Sequence, residues 1–264
     1  MKKIWKYRFY YYLALPGLIY FIIFHYVPMG GALIAFKDIS PFDGLRGFFD
    51  APWVGFKHFE RFTSSVYFLD VIENTLIISG LKILFGFPAP IILALLLNEV
   101  LRMSLKRIMQ TISYLPHFIS WVVTAGMITA LLATSGGLLT ETINDFTGSN
   151  INFLGNKDYF VGILVTSHVW KTIGWSSIIY LAAMSSIDPA LYESARIDGA
   201  NRLQMAWHIT LPSIMFVIVI MFLLEIGNLL EAGFEQILLL YSPSVYKVAD
   251  IIDTFVYREG LLAL

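Results

Sequence analysis

The chain has no cysteine and little charge, with only 14% of its 264 residues being Asp, Glu, Lys or Arg. Without sulfur there is no disulfide framework and no thiolate to act as nucleophile or ligand. The 18 basic and 19 acidic residues leave a formal charge of −1. That balance creates no global field for a polyanion, so nucleic acid is not an expected partner. The five histidines, His25, His58, His117, His168 and His208, are scattered without ligand spacing, so no metal is expected. No G-x-x-x-x-G-K-[ST] phosphate loop occurs, which leaves no device of that kind for holding ATP. Nucleophile-elbow and zincin patterns are missing as well, so no catalytic residue is named and the chain reads as a non-enzyme.

What is present is apolar length. Hydrophobic residues make up 57% of the chain, too many for the remaining polar surface to cover a soluble globule of this size. Apolar runs over 13–35, 75–97, 111–132, 160–184 and 214–230 are each near the roughly 20 residues that cross a hydrocarbon core. They predict an all-α membrane protein with five spans, folded as one transmembrane domain over 1–264. The first run is too long for a secretory signal and no small-residue cleavage site follows it, so it is expected to remain as a span. Pro88 and Pro90 predict a kink in the second.

Lys and Arg in short loops predict orientation. Lys2, Lys3, Lys6 and Arg8 precede the first span, and Arg102, Lys106 and Arg107 follow the second. Both groups belong in the cytoplasm, which also places the N-terminus and residues 188–212 there. The loop 36–67 is then extracytoplasmic, its four basic residues matched by Asp38, Asp43, Asp50 and Glu60. Phe9, Tyr10, Tyr11 and Tyr12 form an interfacial aromatic belt at the start of the first span.

The polar stretch 188–212 lies between two apolar runs and carries its own helix signals. Asp188 caps a helix that has Pro189 at its first position and stops at Gly199, a residue suited to the left-handed conformation. Asn201 caps a second helix running to Thr210, which Pro212 is expected to end. Leu203 with Trp207, and Met205 with Ile209, stand four apart as apolar anchors beside Glu193, Arg196 and Arg202. The hairpin suits either docking into a groove of another protein or resting on the membrane surface.

Within it, Glu193, Ala195, Asp198, Gly199, Ala200, Ile209, Leu211 and Pro212 resemble the signature loop of permease subunits from binding-protein-dependent ABC importers, a long and specific motif. Ser194 and Ala206 depart from the usual residues. The segments NTLIISGLKILFGFPAPIILALLLNEV (74–100) and GFEQILLLYSPSVYKVADIIDTFVYREGL (233–261) are similar to the subgroup importing complex oligosaccharides and polysaccharide fragments, acidic alginate-like ones included. The resemblance implies a type I importer permease fold with a further span after the fifth, beyond residue 264. It also implies a location in the bacterial inner membrane and a loop that docks on an ATPase. The implied partners are a second homologous permease, two ATP-binding subunits carrying ATP and Mg, and an extracytoplasmic solute-binding protein.

Ionisable groups inside spans cost at least about 2.5–3.5 kcal/mol on insertion scales unless they face a partner or water. Lys82, Lys171 and Glu225 therefore mark either a translocation path meeting a carboxylated sugar or a structural ion pair. Trp121, Trp170, Trp175 and Tyr180 offer faces for sugar stacking, or else plain packing. Asn228 and Gln236 suit hydroxyl groups or neighbouring helices. The residues alone also fit a self-contained secondary transporter or channel, which would require internal repeats with paired broken helices.

Overall fold

The computed structural model describes residues 5–39 and 44–262; Lys2, Lys3 and Asp43 lie outside them. The chain divides into two compact units, Met1–Phe68 and Leu69–Leu264. Every regular element among the described residues is helical, apart from one antiparallel bridge between Lys37 and Trp53.

In the first unit, α1 (Arg8–Phe36) is 29 residues long and apolar enough to cross a membrane. It passes through a π turn at Ile22–Tyr26 just before Pro28. The wider turn accommodates a proline ring that would otherwise meet the carbonyl four residues back. The chain then folds over the end of α1 through α2 (Gly44–Asp50) and α3 (Lys57–Thr63). Lys37 Nζ donates to the carbonyls of Phe48 at 2.7 Å and Phe49 at 3.2 Å, near the end of α2. Lys57 pairs with Asp38 at 2.8 Å, and this contact holds the Asp38 carboxyl below the usual carboxylate range.

The second unit is built along α8 (Lys157–Met184), a 28-residue helix capped by Asn156, whose side chain accepts from the Asp158 N–H at 2.9 Å. Before it come α4 (Phe68–Asn98), α5 (Met103–Tyr114), α6 (Trp121–Leu132) and α7 (Leu138–Thr147). After it come α9 (Pro189–Ile197), α10 (Arg202–Ser213), α11 (Met215–Gly227), α12 (Phe234–Leu240), α13 (Tyr246–Ala249) and α14 (Ile252–Tyr257). Two apolar clusters form around α8. Near its start Phe160 and Leu164 meet Ile78, Ala125, Ile237 and Ile251, and near its end Tyr180 and Met184 meet Ile91, Ala94 and Ile214. The polar residues Asn74 and Thr75 of α4 sew the C-terminal segment in place. Asn74 Nδ2 donates to the carbonyls of Lys247 and Asp250, both at 3.1 Å, and Thr75 Oγ1 accepts from the Ile252 N–H at 3.0 Å.

The spans differ from the sequence expectation in form. Among the described residues two helices, α1 and α4, are long and apolar enough to cross alone, or up to four if each bent pair is one span. Pro88 and Pro90 interrupt α4 only at Phe87, and it continues as one 31-residue helix. The third expected span is broken by 101° between Phe118 and Trp121. Pro116 sits in the last turn before the break, and Ser120 caps α6 by accepting from the Val123 N–H at 3.3 Å. The fifth expected span begins inside a bent pair, with a 66° turn between α10 and α11. α8 is long enough to cross, but Ser167, His168, Lys171, Thr172, Ser176 and Ser177 dilute its hydropathy.

At Gly174, α5 and α8 meet backbone to backbone. A Cβ at this position would collide with the main chain of Ser113 and Tyr114. Gly174→Ala should therefore cost about 1–3 kcal/mol as an overpacking defect, seen as a lower melting temperature and yield in detergent. Gly162→Ala, on the same helix with open space around it, should match the wild type; equal behaviour of the two variants would refute the close contact.

Candidate functional site

The hairpin 188–212 folds as its cap chemistry dictates. Asp188 accepts from the Ala190 N–H at 2.9 Å, and Gly199 stands at φ +79°. Asn201 and Gln204 form a reciprocal capping box, with bonds of 2.9 and 2.8 Å. Tyr192 and Thr210 join the two helices through their hydroxyls at 2.8 Å. One expectation fails: Pro212 does not end the second helix. A π turn at Ala206–Thr210 precedes it at the same offset as the π turn before Pro28, and α10 continues to Ser213.

Of the signature residues, Glu193, Asp198, Gly199 and Pro212 are exposed, while Ala195, Ala200, Ile209 and Leu211 are half-buried against the chain's own body. The two anchor pairs separate. Leu203 and Trp207 are 77% and 67% exposed, whereas Met205 is buried and Ile209 half-buried. Ile197, 86% exposed, supplies a third apolar group that the helical spacing had not singled out. Ser194 is exposed with its hydroxyl bonded to the Leu191 carbonyl at 3.0 Å, so its departure from the motif does not disturb packing within the chain. Arg202 Nη1 reaches the Glu99 carboxylate and carbonyl, both at 3.3 Å, linking the hairpin to the end of α4. This exposed pair contributes at most about 1 kcal/mol.

Lys82 and Lys171, both buried, have main-chain partners. Lys82 Nζ donates to the Ala232 carbonyl at 2.6 Å and to Gln236 Oε1 at 2.5 Å. Gln236 Nε2 in turn donates to the Leu164 carbonyl and Ser167 Oγ of α8, both at 2.8 Å. Lys171 Nζ donates to the carbonyls of Pro116 at 3.1 Å, His117 at 3.3 Å and Ile119, and lies 5.3 Å from the Trp121 ring centroid. Among the described residues no ion pair joins either lysine to Glu225, so the expected carboxylate partner is replaced by carbonyls freed where helices break. Gly233, at φ +93°, lies so near Lys82 that a Cβ would come within 2.6 Å of Nζ.

Glu225 instead lines a crevice of about 170 Å³ with His168, Thr172, Ser176, Tyr180 and Gly86. The crevice falls between the two apolar clusters of α8 and offers hydroxyl, imidazole and carboxylate groups, a lining suited to hydroxylated ligands. The aromatic candidates do not converge there. Trp175 is stacked on His117, with centroids 4.7 Å apart and planes at 2°. Trp170 lines a separate apolar cleft of about 620 Å³ with Met127, Ile128 and Phe153. Tyr180 alone joins Glu225, and Asn228 is exposed beyond the end of α11. No group of three or more His, Cys, Asp or Glu that could hold a metal occurs among the described residues.

All-helical spans with stitched breaks, and a capped hairpin between two of them, define a transmembrane permease subunit. The chain belongs to the family of binding-protein-dependent transport system inner membrane components, whose family model matches residues 86–263. It is 48% identical over 260 residues to the polygalacturonan/rhamnogalacturonan transport system permease protein YteP of Bacillus subtilis (strain 168), covering 98% of this chain and 80% of that protein. It is 31% identical over 258 residues to the sn-glycerol-3-phosphate transport system permease protein UgpA of Pectobacterium atrosepticum, covering 96% and 84%. The fold superposes with a TM-score of 0.90 and 44% identity on a bacterial ABC transporter involved in the import of the acidic polysaccharide alginate, covering 99% of this chain and 87% of that one. It also superposes, with a TM-score of 0.89 and 43% identity, on a bacterial alginate ABC transporter solved in complex with an alginate pentasaccharide-bound periplasmic protein, covering 99% of this chain and 86% of that one.

Two outcomes follow from this geometry. A side chain at Gly199 meets nothing within 4 Å but must adopt a positive φ, at a cost of about 1 kcal/mol or more for a residue with Cβ. Gly199→Val should therefore leave folding intact and lower substrate-stimulated ATP hydrolysis of the assembled complex, with Gly199→Asn closer to wild type; unchanged coupling in the valine variant would exclude a role for the elbow. Lys82→Met and Lys171→Met each strand buried carbonyls, at about 1–3 kcal/mol per unsatisfied group. Both should reduce the yield of folded complex and impair uptake of acidic and neutral oligosaccharides alike, and selective loss of the acidic substrate would show that the ammonium serves the sugar.

Proposed function

We propose that this chain forms half of the translocation path of an ATP-driven oligosaccharide importer, with residues 1–264 acting as one permease domain. A second homologous permease supplies the other half. Two ATP-binding subunits carry ATP and Mg and receive the hairpin 188–212, and a solute-binding protein delivers the sugar from outside. The N-terminus of this chain is cytoplasmic, and α1 is one of several crossings.

The observation carrying this reading is the 48% identity across 98% of the chain to a polygalacturonan/rhamnogalacturonan permease, supported by the fold match to an alginate importer. All three named polymers bear carboxylates, so an acidic oligosaccharide is the proposed cargo. Lys82 and Lys171 are committed to backbone carbonyls, and the crevice carries Glu225. Selectivity for an acidic sugar is therefore assigned to the solute-binding protein and the partner permease rather than to these side chains. A self-contained transporter is the weaker reading, because family membership and the exposed apolar triad of the hairpin both favour a docked ATPase.

The test is uptake of labelled uronate oligosaccharides into proteoliposomes. The complete complex should accumulate them only with ATP and the binding protein, and this chain alone should neither hydrolyse ATP nor pass substrate. Flux through the chain alone would overturn the importer reading.

A further inference from the structure

We infer that the segment after α1 is a second membrane anchor, in which the aromatic face formed by Trp53, Phe56 and Phe59 lies in the lipid headgroup interface that α1 reaches at Phe36. At 1.5–2.0 Å per residue, 29 helical residues extend somewhat over 40 Å, close to the roughly 40–45 Å of a bilayer with its headgroups. With Arg8 at one interface, Phe36 is therefore at the other.

The following segment cannot leave that level, because main-chain bonds hold it against the last turn of the helix. Val54 N–H donates to the Phe36 carbonyl at 2.8 Å and Asp38 N–H to the Pro52 carbonyl at 3.1 Å, flanking the Lys37–Trp53 bridge. The rings of Trp53, Phe56 and Phe59 stand 6.4, 5.6 and 5.3 Å from the Phe36 ring. Trp53 and Phe56 are nonetheless 63% and 65% exposed. The polar groups are separately satisfied. Asp38 and Lys57 form an exposed ion pair, and His58 Nε2 contacts the Lys37 carbonyl at 3.0 Å. Lys37 itself sits 5.7 Å from the Trp53 ring centroid. Exposed aromatic rings fixed at the end of a span match the composition of a headgroup belt. The inference rests on α1 crossing the bilayer and not on which cargo is carried, so it stands or fails separately from the importer reading.

The chain has no cysteine, so in a complex whose partner subunits have had any cysteines replaced, a single introduced cysteine is labelled alone. Phe56→Cys, and as a control Arg61→Cys on the opposite side of α3, are labelled with an environment-sensitive fluorophore in the assembled complex. The complex is placed in phosphatidylcholine nanodiscs containing a headgroup-nitroxide lipid. The label at position 56 should emit at shorter wavelength, be quenched more strongly by the nitroxide lipid and less by aqueous iodide than the label at 61. Trp53→Cys repeats the measurement if Phe56→Cys lowers the yield. Equal iodide quenching at 56 and 61 without nitroxide quenching would overturn the assignment. So would shielding that appears only when the solute-binding protein is added, which would make the face a protein docking site.

Discussion

A helix that breaks within a bilayer leaves carbonyl groups that no lipid can satisfy, and the second unit of this permease is organised by how those carbonyls are bonded. At the break between α5 and α6 the carbonyls of Pro116, His117 and Ile119 all accept from Lys171, the Pro116 carbonyl accepting also from the Ile119 N–H at 3.3 Å. The irregular segment between α11 and α12 presents the Ala232 carbonyl, which accepts from Lys82. An ammonium has three donors and no acceptor, so one lysine can serve several carbonyls that converge on a point. Its charge, costly in hydrocarbon, is offset by the oriented dipoles it meets.

These two lysines fix distant parts of the chain to α8, from either side. Lys171 is a residue of α8 and reaches the α5–α6 break, while Lys82 reaches α8 indirectly, through Gln236 to Leu164 and Ser167. Gly174 permits the close approach of α5 that brings the break within reach of Lys171. Polar side chains thus occupy the middle of α8, and apolar clusters close around its two ends. The crevice containing His168, Tyr180 and Glu225 is the part of that polar middle left open.

The hairpin was legible from sequence because caps, prolines and left-handed glycines act over three or four residues, and each of Asp188, Gly199 and Asn201 does what local chemistry requires. The lysine partners were not legible. Lys82 and Gln236 are 154 residues apart and Lys171 and Pro116 are 55 apart, and no periodicity carries information across such separations. Composition could say that each charge needs a partner, and the natural guess was a carboxylate; the structure instead used carbonyls, which every residue possesses. The anchor pairs failed for a different reason. Positions 203 and 205 are about 200° apart on an α-helix, so the pairs 203/207 and 205/209 point to opposite faces and only one could face outward.

The hairpin is bound into the body of the protein at both ends, and this decides where a force applied to it can travel. α10 passes into α11 through the 66° bend at Ile214, and Ile214 is fully buried against Tyr180, Met184, Ile91 and Ala94. The Tyr192–Thr210 bond makes α9 move with α10. The exposed face formed by Ile197, Leu203 and Trp207 is therefore joined to the body by close-packed side chains and not by a slack linker. Tyr180 also lines the crevice opposite Glu225, a residue of α11 itself. The exposed hairpin face and the polar crevice are thus connected through the packing of Ile214 against Tyr180.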